Sequence, residues 1–61
     1  MEFEFDIGEQ VVVDVSGEAG EVMGRAEYKT SANTYYVRYR SANGRAVEAW
    51  WEESALRRPG A

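Results

Sequence analysis

Tyr36, Arg38, Glu48 and Trp50 put two aromatic rings, a guanidinium and a carboxylate at two-residue spacing on two neighbouring segments. On strands, that spacing brings the side chains to one face. Arg40 extends the row. Rings supply apolar area and stacking, and flanking charges set orientation, so the chemistry on offer is recognition. Other kinds of chemistry have few tools here. The chain has no Cys and no His, which removes thiolate nucleophiles, zinc-thiolate sites, and the commonest general base and metal ligand. Its four serines lack a standard activating base, and no Ser-x-x-Lys substitutes for one. Gly17-Glu18-Ala19-Gly20 lacks both the strand-to-helix context and the following Lys of a phosphate loop, and reads as a turn. Glu2, Glu4 and Asp6 alternate in a way that can face a hard cation, but no calcium-loop pattern follows. They read as a charged strand face that protects an edge.

The elements that position these residues must fit one domain of 61 residues, with a core over about 3–57. Such a chain buries about 60% of its unfolded surface, so the core must be small and aromatic-rich. Hydrophobic residues at 44% and charged residues at 30% argue for a folded domain, and the longest apolar run is three residues, too short to span a membrane. No signal peptide or anchor is written, which suits the bacterial cytoplasm or a phage or plasmid genome. A net charge of −4 weighs against a general nucleic-acid binder. The charge is uneven, however: residues 1–24 hold seven acids and no base, and residues 25–61 hold seven bases against four acids. A local basic face on the second half stays open.

Phe3, Phe5 and Ile7 alternate with acids, the pattern of a short half-buried strand ending at Gly8. Gln10 to Val15 is a β-branched run with strand propensity, and Ser16 to Gly20 supplies turn residues. Val22, Ala26 and Tyr28 share one side of the next strand, with Gly24 at a bend or bulge. Lys29 to Thr34 is a polar loop. After Trp51, Glu52 to Leu56 suits one 3₁₀ turn, with Leu56 closing the core, and Arg57-Arg58 forms a last short strand.

The turn near Gly44 fixes the register of Tyr35 to Trp51. A two-residue Asn43-Gly44 hairpin sets Tyr39 against Glu48 and mixes charge with core on both faces. A three-residue Ala42-Asn43-Gly44 loop, with Gly44 left-handed, shifts the pairing by one. Tyr39 then faces Val47, Val37 faces Ala49 and Tyr35 faces Trp51. On the other face Arg40 meets Ala46, Arg38 meets Glu48 and Tyr36 meets Trp50. This register sorts apolar from charged, with Tyr35, Val37, Tyr39, Val47, Ala49 and Trp51 as core. The outward Tyr36/Trp50 pair is then a recognition or oligomer surface, unless the Phe3/Phe5 strand folds over it. Lys29, Arg25, Arg38, Arg40 and Arg45 flank it, either as a nucleic-acid face or as solvated cations paired with Glu27, Glu48 and Glu52. The expected fold is all-β: a small, strongly bent, five- or six-stranded SH3-like barrel with a C-terminal 3₁₀ turn.

Gly8-Glu9-Gln10-Val11, Gly20-Glu21-Val22-Met23-Gly24, Tyr35-Tyr36-Val37, the Gly44 turn, Val47-Glu48-Ala49-Trp50 and Ser54-Ala55-Leu56 resemble the small SH3-like barrel proteins. In order and spacing, from about residue 7 to 57, they are similar to the subunit of the plasmid-borne type II dihydrofolate reductases. That resemblance implies a ring of four barrels in which a Val-Gln-Ile-Tyr strand lines a pore for NADPH and dihydrofolate. The matching stretch is Val47-Glu48-Ala49-Trp50, with Glu48 in place of the pore amide, and Val13-Asp14-Val15 carries none of the family's basic residues. The residues themselves call for no cofactor and no metal. They favour a non-catalytic module that binds a protein partner or itself through Tyr36, Arg38, Arg40, Glu48 and Trp50. A nucleic-acid-binding barrel is the second reading and a tetrameric pore reductase the third.

Overall fold

The computed structural model describes residues 2–41 and 43–60. Five strands form one antiparallel sheet: β1 (Gln10–Val13), β2 (Ala19–Ala26), β3 (Thr34–Arg40), β4 (Ala46–Glu52) and β5 (Leu56–Arg57). A 3₁₀ turn, Glu53–Ala55, joins the last two. The order across the sheet is β4-β3-β2-β1-β5, strongly curled into a half-barrel. The fold is the expected small all-β domain with a C-terminal 3₁₀ turn.

The β3–β4 register is the one that sorts apolar from charged: Tyr35 pairs with Trp51, Tyr36 with Trp50, Val37 with Ala49, Arg38 with Glu48 and Tyr39 with Val47. Gly44 takes φ 83°, and its N–H donates to the Ser41 carbonyl at 2.9 Å, as a type I turn followed by a left-handed residue requires. Ala42, the first residue of that expected loop, lies outside the described residues. Gly20 answers a different demand. A Cβ there would sit 2.7 Å from both the Arg38 carbonyl oxygen and Val37 Cγ1, so β2 and β3 approach closely only because this residue has none.

Phe5, Val11, Val13, Val22, Tyr35, Val37 and Leu56 form the core, with Phe3, Tyr39 and Trp51 packed against it. Val47 and Ala49 on β4 are only half-buried. Leu56 closes one end as expected. The strand starting at Gln10 stops at Val13 because Gly17 and Ser16 both donate back to the Val13 carbonyl, leaving Val15 84% exposed in the turn.

Three expectations about the strands are corrected. Residues 2–9 form no strand, and Ile7 is 61% exposed. The amides of Glu4 and Phe5 donate to the Tyr35 hydroxyl, at 2.9 and 3.3 Å, instead of to a strand ladder. Second, Val22 and Ala26 do not share a side. The register slips between Val22 and Gly24, so Val22 pairs with core Val37 while Ala26 pairs with outward Thr34. Met23 is the extra residue of the bulge, and it reverses the facing of everything after it. Tyr28 lies beyond β2, 47% exposed, with its hydroxyl 3.0 Å from Thr34 Oγ1. The last strand ends at Arg57, which leaves Arg58 outside it.

Candidate functional site

The outer face of β3 and β4 gathers four of the five expected residues into one cluster. Hydrogen bonds at both ends of the ladder show why they meet so closely. Ser41 N donates to Arg45 O at 2.9 Å and Glu53 N to Asn33 O at 3.1 Å, so these are hydrogen-bonded pairs. Pairs alternate along an antiparallel ladder, which makes Arg38/Glu48 and Tyr36/Trp50 non-hydrogen-bonded pairs, the kind whose side chains stand closest.

The Tyr36 and Trp50 rings lie 5.0 Å apart at 43°, and Trp50 stays 54% exposed. Arg38 donates through Nε and Nη2 to Glu48 Oε2 at 2.9 and 2.7 Å, and the Tyr36 hydroxyl donates to Glu48 Oε1 at 3.3 Å. The Arg38 hydrogen bonds hold the Glu48 carboxyl below the usual carboxylate range, against the opposing effect of partial desolvation. Partial desolvation, followed by the nearby Glu48 charge, raises the Tyr36 phenol above its ordinary value. The result is a neutralised ion pair beside a half-exposed indole, a surface with apolar area and oriented charge.

Arg40 stands apart from that cluster. Its Nη1 donates to Gly44 O at 3.0 Å, and it lines an open groove together with Gly20, Glu21, Arg38 and Ala46. Arg25 is corrected outright. The bulge turns it to the core side, where it pairs opposite Tyr35, donates to Phe5 O at 3.2 Å and lies 4.3 Å from the Phe3 ring centroid. Phe3 and Phe5 do not cover the aromatic pair; both pack edge-on to Tyr35, at 6.0 and 5.2 Å.

A second polar cluster escaped sequence reasoning. The buried Tyr35 hydroxyl donates to Glu53 Oε2 while accepting from the Glu4 and Phe5 amides. Burial foremost, and then the Glu53 hydrogen bond, raises the Tyr35 phenol; the same bond lowers the Glu53 carboxyl. Arg58 donates to Glu4 O, Glu4 Oε2 and Glu9 Oε2 at 2.6, 2.7 and 2.9 Å, and its guanidinium lies 5.0 Å from the Phe5 ring centroid. Buried Asn33 donates to Glu2 O at 3.1 Å. These groups tie down the segment before β1, and of their buried side-chain atoms Asn33 Oδ1 alone lacks a partner among the described residues. Their only sequence signal was a polar loop next to an aromatic strand.

Among the described residues no group of acids is placed to hold a metal ion, and no helix is long and apolar enough to cross a membrane. Compared with protein-family models, with curated proteins and with solved structures, the chain shows no match.

Proposed function

We propose that the chain is a non-catalytic interaction module, an SH3-like barrel that binds a protein partner or a second copy of itself through Tyr36, Arg38, Glu48 and Trp50. The observation that carries this reading is Trp50, a large ring left 54% exposed yet fixed against Tyr36. A rigid, half-exposed indole beside an already paired charge is the usual anchor of a protein contact, because little ordering or desolvation remains to be done on binding. The test is Trp50→Ser. The variant is expected to keep its fold and lose association; a variant that unfolds would make Trp50 part of the core and end the reading.

A nucleic-acid interface is favoured by one observation. Among the described residues, Arg40 and Arg45 have no carboxylate within 4.0 Å, so both cations are available to a phosphate at the turn end of the face that carries Trp50. Titration with a single-stranded oligonucleotide at low and high salt decides it, since affinity indifferent to salt contradicts phosphate contact. The layout similar to type II dihydrofolate reductase subunits gains support from the outward placement of Glu48 and Trp50, where that family's pore strand presents its Gln and Tyr. It requires a tetramer that binds NADPH, and Glu48 places a carboxylate toward that anionic cofactor.

A further inference from the structure

We propose that the outer margin of β4 is the site at which a second copy of this chain adds its own β4, antiparallel, about a two-fold axis at Ala49. The inference deepens the interaction-module reading and rests on it, because the strand that carries Trp50 and Glu48 also carries the free margin.

β4 ends the sheet, and β3 is its only strand neighbour among the described residues. The ladder alternation directs the backbone groups of Val47, Ala49 and Trp51 toward β3 and those of Ala46, Glu48, Trp50 and Glu52 away from the sheet. Ala46, Glu48 and Trp50 therefore present unpaired N–H and C=O groups in one row, and Glu52 adds its N–H; the Glu52 carbonyl, at the N-cap of the 3₁₀ turn, accepts from that turn. The side chains repeat the pattern. Tyr35 and Val37 on β3 are fully buried, while their partners Trp51 and Ala49, and Val47 beside them, are only half-buried. A neighbour is missing on the far side of β4.

Isolated domains normally blunt such an edge with Lys, Pro, a bulge or brevity. β4 has seven residues, Ala-Val-Glu-Ala-Trp-Trp-Glu, with no Lys, no Pro and an unbroken register, and of its two acids Glu48 is neutralised by Arg38. Its charges select the partner. Arg45 precedes the strand, and Glu52 and Glu53 close it. Antiparallel addition of an identical strand brings the basic start of each copy to the acidic end of the other; parallel addition brings like to like.

The register follows from the same residues. Outward-directed groups must meet outward-directed groups, so the axis falls on a residue and not between two. An axis at Glu48 sets Glu48 against itself, and one at Trp50 sets Glu48 against Glu52. An axis at Ala49 sets Glu48 of one copy against Trp50 of the other, and Ala46 against Glu52. It uses the whole strand, makes about six interchain hydrogen bonds, and joins the two sheets edge to edge.

The test is the mass of the chain by sedimentation equilibrium from micromolar to millimolar concentration, with a synthetic chain N-methylated on the backbone at Glu48 and Trp50. Methylation at these two nitrogens removes outward donors and leaves every side chain and the β3 ladder in place. The unmodified chain is expected to reach a dimer. The methylated chain is expected to stay monomeric with an unchanged circular dichroism spectrum. Arg45→Glu, which touches no backbone bond, is expected to weaken the dimer at least about tenfold and serves if the methylated chain does not fold. A monomer at all concentrations overturns the proposal, as does a dimer that survives methylation. Trp50→Ser separates the two readings: a dimer lost in Trp50→Ser but kept on methylation leaves the side-chain face standing and removes the strand pairing. The reverse pattern keeps the pairing and removes the face.

Discussion

At one margin of the sheet β5 is two residues long, and the chain leaves it through Arg58 and Pro59. There Arg58 grips Glu4 and Glu9 while the Tyr35 hydroxyl and Glu53 take up the amides of Glu4 and Phe5. At the other margin β4 runs seven residues with a single strand neighbour. The first margin is short, cationic and tied to the segment before β1 by contacts up to 54 residues apart in sequence. The second is long and aromatic. Arg58 closes the β5 margin, and Arg25, Asn33, Tyr35 and Glu53 hold the rest of the segment before β1, while among the described residues nothing pairs the outer backbone of Ala46, Glu48 and Trp50. The contrast teaches that exposure at β4 is selective, since the same sequence closes an equivalent edge elsewhere.

Removing the hub of the closed margin is expected to cost most. Tyr35→Phe leaves two backbone amides and the Glu53 carboxylate without the hydroxyl they share, and is expected to lower stability by about 2–3 kcal/mol in urea unfolding. A loss under about 0.5 kcal/mol would mean that the clamp is ornamental and the two margins are alike.

Arg58→Ala acts on the same margin locally. Amide exchange at Glu4 and Phe5 is expected to accelerate well before that at Val22 or Val37, because the guanidinium holds the segment and does not hold the sheet. Uniform acceleration across the chain would instead make Arg58 part of the global fold.

Acid sharpens the contrast. The Glu53 carboxyl lies below its ordinary value in the folded chain, mainly because Tyr35 donates to it. The unfolded state therefore binds the proton first, and the contribution is present above the ordinary range near about 4.3 and is lost as pH falls through the lower folded value. Glu53→Gln is expected to flatten that limb of the thermal midpoint against pH, and a limb unchanged in the variant would contradict the assignment.

The smallest effect belongs to the open margin. Trp50→Ser in the monomer is expected to cost about 1 kcal/mol or less, the value of an exposed aromatic pair. A cost equal to that of Tyr35→Phe would remove the distinction between a core face and a free one.

Much of the open margin was legible in the sequence, because what determines it is local. Gly44 fixes the turn, the turn fixes the register, and two-residue alternation then sends Tyr36 and Trp50 outward. The closed margin was not legible, because it is built from partners far apart in sequence. Phe3 and Phe5 alternate with acids as a strand does, yet the amides of Glu4 and Phe5 donate to the Tyr35 hydroxyl about thirty residues on, which no local period encodes. Arg25 was misplaced for a subtler reason. A bulge was expected near Gly24, but one inserted residue reverses the facing of all that follow, and Arg25 and Ala26 therefore exchange sides.

The central claim is most directly tested by residue-resolved amide exchange along β4 as protein concentration rises. At low concentration Val47, Ala49 and Trp51 should be protected by β3, while Ala46, Glu48, Trp50 and Glu52 exchange freely. The second set is expected to gain protection with concentration and the first to stay as it was. Free exchange of that second set at every concentration would contradict it.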